Sequence, residues 1–206
     1  MVQESAGSAR AGRRPAVELD RILAVAAELA DDSGLESVSF RALGERLGVS
    51  PMAVHRATGG IDALRHALVA GLVEEAVADL AWPAEWQGVV RVFATGLRDL
   101  LLRHPLVLEA HRRAALDAPG ADDVAHRVVA ALTSAGLDPE HAAYGYAAVH
   151  DFVTGHVSIR LGRGELELLQ VSPERRDASV FAEHHDYDRR FDVGLGILIA
   201  GLEALA

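Results

Sequence analysis

Two sets of residues in this chain have types and spacings suited to chemistry. The first lies in Ser39 to Ala57, SFRALGERLGVSPMAVHRA. Ser39 and Ser50 each stand at the start of a helix-compatible run, where a hydroxyl and free backbone N–H groups suit a phosphate. Arg41 carries a guanidinium that can hold guanine bidentately, and Arg56 can do the same or take a phosphate. Pro51, Met52 and Ala53 offer apolar contact to thymine methyls, with His55 beside them. The second set comes from the ten histidines. Asp123 with His126, and Asp138 with His141, sit at the i, i+3 spacing that helical di-metal sites use, and His184, His185, Asp186 and Asp188 carry donors for a cation. No HExxH, paired ExxH or glycine-rich phosphate loop accompanies them. Asp138 precedes Pro139 and serves better as a helix cap, and no nucleophile stands beside a base. The expectation is no catalytic residue, no metal, no cofactor and no enzyme.

The first set needs two short helices to position it. Ser39 caps the first, Leu43 and Leu47 form an inward i, i+4 pair, and Gly48 sits where the chain must leave the helix. Ser50 followed by Pro51 starts the second, because proline at the first helical position loses no hydrogen bond. Helix, three-residue turn with glycine, helix is the helix-turn-helix spacing, whose second helix enters the DNA major groove. Upstream, Asp20 to Asp31 reads as a helix with Ile22, Leu23, Ala26, Leu29 and Ala30 on one face. Downstream, Gly59-Gly60 breaks the chain before a long helix from Asp62 to Leu80 that carries Leu64, Leu68, Leu72 and Ala76 along one side.

Composition bounds the rest. A chain of 206 residues with half its residues apolar can bury one core or two small ones. No run of about 18 apolar residues is present, and the N-terminal segment lacks a signal-peptide core, so a cytoplasmic protein with no membrane partner is expected. Zero cysteines remove disulfides and thiolate sites. All 20 basic residues are arginine, and the net charge is −10. That charge is uneven: residues 1–70 hold 8 arginines and 9 carboxylates, the remainder 12 and 21. An acidic body repels nucleic acid except where arginines gather, which favours one docking face over general adhesion. Residues 1–17, with Arg10, Arg13 and Arg14, form a flexible basic arm suited to phosphates or a minor groove.

ILAVAAELADDSGLESVSFRALGERLGVSPMAVHRATGGIDALRHAL resembles the N-terminal domain of tetracycline-repressor (TetR) family transcriptional regulators. HPLVLEAH and LTSAGLDPEHAAYGYAAVHDFVTGHV resemble the helical C-terminal domain of the tetracycline-repressor branch. The resemblance implies an all-α protein of about nine helices, with a three-helix helix-turn-helix head over residues 18–66 and a helical ligand-binding and dimerisation body over 67–206. It implies that Arg41, Pro51, Met52 and Arg56 face bases of double-stranded operator DNA while Ser39, Ser50 and His55 face the backbone. It also implies that the 62–80 helix links head to body and swings the recognition helix when a small-molecule effector binds. The chain departs from the family pattern at a tyrosine and histidine, replaced by His55 and Ala57, and at a phosphate-binding lysine, replaced by Ile61. Arg13, Arg14 and Arg65 are candidates to compensate. The alternative is a ligand- or protein-binding helical module whose head no longer binds DNA.

In the body, helices are expected over 86–103, 105–116, 122–135, 138–161 and 187–205, with a loop at Asp117 to Gly120 and a polar connection over 162–186. Three glycines, Gly194, Gly196 and Gly201, interrupt the last helix at about 1 kcal/mol each relative to alanine, so close helix contact is expected to offset them. A homodimer through the helices near 138–161 and 187–205 follows from the resemblance, and from the need for two related recognition helices to read a palindrome. An effector pocket between the 62–80, 86–103, 105–116 and 138–161 helices draws its candidates from Phe93, Leu97, His104, His111, Arg112, Tyr144, His150, Asp151 and Phe152.

Overall fold

The computed structural model describes residues 18–112, 118–168 and 186–206, with the side chains of 112 and 163–168 outside the description. The basic arm, His184 and His185 lie outside the described residues. Among the described residues there are nine α-helices, one 3-10 turn and no strand, an all-α architecture.

The head is α1 (Leu19–Ser33), a 3-10 turn (Leu35–Ser37), α2 (Phe40–Leu47) and α3 (Pro51–Thr58). Ile22, Ala26, Leu43 and Val54 are fully buried between them, joined by Leu64 from α4 (Ile61–Ala78). The body continues with α5 (Trp86–Arg103), α6 (Pro105–Arg112), α7 (Pro119–Ser134), α8 (Pro139–Leu168) and α9 (Tyr187–Glu203). Val90, Leu101, Leu132, Val149, Val153 and Phe191 are buried within it. The buried residues of head and body form one continuous cluster, bridged by Leu68, Val69 and Val73 on α4.

Three expectations are corrected. Pro119 and Gly120 open α7 rather than closing a loop. Proline's fixed φ suits the first helical turn, and that turn lies on α4, where even a Cβ added at Gly120 would sit in ordinary contact, 3.6 Å from Glu74 Cγ. The α8 helix continues seven residues past Leu161 to Leu168, because Glu165 to Leu168 are good helix formers that outweigh Gly162 and Gly164. Finally, close contact accounts for one of the three α9 glycines: a Cβ at Gly194 would meet the Phe152 ring at 2.6 Å, whereas Gly196 and Gly201 have nothing within 4 Å.

Candidate functional site

The helix-turn-helix forms as its caps dictate. Ser39 Oγ accepts from the Ala42 N–H at 3.2 Å and Ser50 Oγ accepts from the Ala53 N–H at 3.2 Å, each cap contributing about 1 kcal/mol. Gly48 leaves α2 in the left-handed region, φ 68°. The tightness of the turn depends on a residue that the hydrophobic pattern does not flag. Gly44 is buried, and a Cβ there would lie 2.9 Å from the Val49 carbonyl oxygen and 3.2 Å from the Pro51 nitrogen.

Packing Leu43 and Val54 inward turns Arg41, Pro51, Met52, His55 and Arg56 outward. Met52 is 61% exposed although thioether side chains favour burial. His55 packs edge-on against Phe40, ring centroids 5.1 Å apart, which orients the imidazole at the α2–α3 junction. Arg41 Nε donates to Glu45 Oε1 at 3.0 Å across one turn of an exposed helix face. Arg65 donates to Glu36 at 3.2 Å with its side chain 23% exposed. It ties the start of α4 to the 3-10 turn and is not presented as a spare phosphate ligand. Ile61 is half-buried against the core.

The body holds a cavity of about 650 Å³, counting its open mouth, between α4, α5, α6, α7 and α8. Val73, Ala76 and Val77 of α4 form one wall, Phe93, Leu97 and Leu101 of α5 another. Four of its lining residues carry polar side-chain groups: His111, Tyr146, His150 and Thr154. His111 and His150 face each other with ring centroids 4.7 Å apart, and Tyr146 stacks on Phe93 at 5.1 Å. Burial, then the neighbouring His150, holds the His111 imidazole below the ordinary histidine value, with Asp151 opposing. Burial, then Asp122, pushes the Tyr146 phenol up.

Of the nine expected ligand residues, Phe93, Leu97, His111 and His150 meet at this cavity. His104 lies elsewhere, its Nδ1 3.0 Å from Asp31 Oδ2. Tyr144 is 66% exposed on the outside of α8. Asp151 and Phe152 line a separate cleft with His156, Tyr187 and Arg190 between α8 and α9. The Arg112 side chain lies outside the described residues. Tyr146 and Thr154 were missed, although both share a helical face with His150 at i−4 and i+4.

Among the described residues no three His, Asp or Glu side chains gather as a metal site. The Asp138 carboxylate instead accepts from the Glu140 and His141 N–H groups at 3.0 and 3.1 Å, and contacts the His141 ring. No described helix is long and apolar enough to cross a membrane.

Residues 81–206 match the family described as tetracyclin repressor-like, C-terminal domain. The chain belongs to the tetracycline-repressor family. Among curated relatives, it is 28% identical over 175 residues to the HTH-type transcriptional repressor DrrR1 of Streptomyces coeruleorubidus, an alignment covering 84% of this chain and 62% of that one. Among solved structures it is similar to TetR from Acinetobacter baumannii AYE, with 25% identity, a TM-score of 0.74, and 92% and 98% of the two chains covered. It is also similar to the Streptomyces coelicolor TetR family protein ActR in complex with (S)-DNPA, with 26% identity, a TM-score of 0.65, and 91% and 98% covered. Both likenesses span the head and the body, so this tetracycline-repressor family chain shares their whole architecture.

Proposed function

We propose that this chain is a ligand-responsive transcriptional regulator, most simply a repressor, which binds palindromic operator DNA as a homodimer in the cytoplasm and is released by a small-molecule effector. The observation that carries this reading is the double duty of α4. Leu64 near its start is buried in the head core, and Val73, Ala76 and Val77 near its end wall the cavity. A rigid helix of 18 residues is about 27 Å long, so a displacement at the cavity end tilts whatever the other end carries. The head that it carries presents Arg41, Met52 and Arg56 to solvent in helix-turn-helix geometry. Ser39 and Ser50, already caps, would place the N-termini of α2 and α3 against phosphates.

The homodimer is supported by a second observation. Tyr144 and Ile159 on α8 and Val193 and Ile197 on α9 are each 48% to 67% exposed. Gly196 and Gly201 leave open space on α9, which permits close approach of a second helix pair.

Fluorescence anisotropy with the DNA upstream of the protein's own gene tests the reading. Tight binding at two chains per palindromic site, weakening steeply with salt, is the expected result. Binding no stronger than to random DNA overturns it and leaves a helical ligand-binding body with a silent head.

A further inference from the structure

The cavity's polar groups are not scattered over its walls. Three of the four, Tyr146, His150 and Thr154, lie along one face of α8, where His150 meets His111 of α6, and the walls contributed by α4 and α5 are aliphatic apart from Phe93. A ligand that fills this space must therefore be apolar over most of its surface and polar at one end. The nature of that polar end follows from which groups receive it. His111 and His150 are two imidazoles with centroids 4.7 Å apart, His150 has a side chain only 19% exposed, and Thr154 already donates its hydroxyl hydrogen to the Asp151 carbonyl at 3.2 Å.

Resting on the reading of this cavity as the effector site, we propose that its ligand is an amphiphilic acid, an apolar body carrying one anionic group that docks between His111 and His150.

The physical argument concerns what each class of ligand would do to the pair. Burial and the neighbouring His150 ring disfavour a proton on His111, so without a ligand that imidazole favours the neutral form. A neutral ligand leaves that balance unchanged. An anion placed beside both rings reverses it, because the protonated imidazole then gains a charge-assisted hydrogen bond, although His111 itself is exposed and only His150 is largely shielded. Other titratable groups near the pair are few. Among the described side chains they are Asp151 and Tyr146 on α8, Asp122 on α7 near Tyr146, and Glu109 two residues before His111 on α6, while Arg112 and Arg113, which follow His111 in the sequence, lie outside the described side chains; α4 and α5 present no charged side chain to the cavity. Asp151 reaches His150 Nδ1 at 3.4 Å with its own side chain 82% exposed, so water screens it, and it leaves the pair able to accept an anion from the cavity side.

Binding of an acid is therefore coupled to proton uptake. Affinity rises as pH falls through the window between the raised imidazole pKa of the complex and the lowered one of the free protein, by up to about tenfold per pH unit for one proton.

The test uses two probes with one aromatic body, 1-anilinonaphthalene-8-sulfonate and N-phenyl-1-naphthylamine. The sulfonate stays ionised throughout, so any pH dependence belongs to the protein. Both are titrated into the full chain by fluorescence between pH 5.5 and 8.5, with mutual displacement placing them in one cavity. The expected result is that the sulfonate probe binds more tightly towards acid pH while the neutral probe does not change. The His111→Gln/His150→Gln double variant removes that slope and weakens the sulfonate probe at least fivefold at pH 6, while it still binds the neutral probe without a pH slope and its melt at pH 8 shows that it is folded. Equal pH profiles for both probes, a slope that survives the double variant, or sulfonate binding abolished by EDTA would overturn the acid assignment while leaving the cavity reading intact. Failure of both probes to enter the cavity would overturn both.

Discussion

The imidazole of His104 lies 3.0 Å from the Asp31 carboxylate, joining the α5–α6 junction in the body to the end of α1 in the head. Both side chains are partly shielded, at 19% and 32% exposure. The pair bridges the two regions at a point away from α4, so head and body are held at two places. His104 precedes Pro105, which starts α6, the helix that also carries His111 into the cavity. This contact gives a shift of α6 a second route to α1 besides α4, which replacement of His104 tests.

Replacing His104 by Ala is expected to cost less than about 1 kcal/mol of stability, as partly exposed pairs do, yet to reduce effector-driven release of DNA. Thermal melts and operator-release titrations on the same preparation check this. An unchanged effector response in the variant would assign all coupling to α4.

Gly44→Ala is expected to destabilise the head by about 1–3 kcal/mol, because its Cβ would press on backbone atoms of the turn rather than on a side chain that can move. Gly71→Ala on α4 has nothing within 4 Å and is expected to stabilise by about 0.5–1 kcal/mol from helix propensity. Melting the two variants side by side separates a packing role for Gly44 from a general glycine effect.

Arg41→Ala and Arg56→Ala are each expected to weaken operator binding by about 1–3 kcal/mol per lost base contact without altering the melt, since both side chains are exposed. The same geometry gives a prediction of opposite sign. Arg41 must leave Glu45, 3.0 Å away, to reach a base, so Glu45→Gln is expected to tighten binding. Anisotropy at fixed salt reads all three variants.

Ile197→Asp on the exposed face of α9 is expected to give monomers by sedimentation and to remove specific DNA binding together, while the helical circular dichroism persists. A dimer that survives this charge would place the interface elsewhere than α8 and α9.

His156 gives a pH dependence. Its Nε2 is buried without a hydrogen-bond partner. Burial first, then Arg190, Arg160 and Arg98, hold the imidazole below the ordinary histidine value, with Asp188 opposing. The unfolded chain then binds more protons than the folded one between the unfolded value near 6.5 and the lower folded value, so stability falls as pH drops through that window. His111 acts in the same direction. His156→Phe is expected to flatten the acid side of a stability profile measured from pH 7.5 to 5, and an unaltered profile would contradict the assignment.

Much of this molecule was legible in the chain itself, because short-range rules govern it. The caps at Ser39 and Ser50, Pro51 at a first helical turn, and the glycine at 48 are decisions a backbone makes within four residues. The 3.6-residue periodicity of Ile22, Ala26, Leu64 and Leu68 then orients each helix. The exposed set Arg41, Met52, His55 and Arg56 follows once Leu43 and Val54 turn inward. The cavity was legible only as a region. Which of two neighbouring histidines enters it is settled by the angle at which helices distant in sequence cross. His104 turns to Asp31 of α1 while His111, two turns further along, meets His150 of α8. Gly44 likewise needed three dimensions, since its role is the 2.9 Å approach of a carbonyl from the next turn. Hydrogen bonds along one helix are encoded locally, whereas contacts between helices depend on packing shape, and that is a property of the folded assembly of side chains.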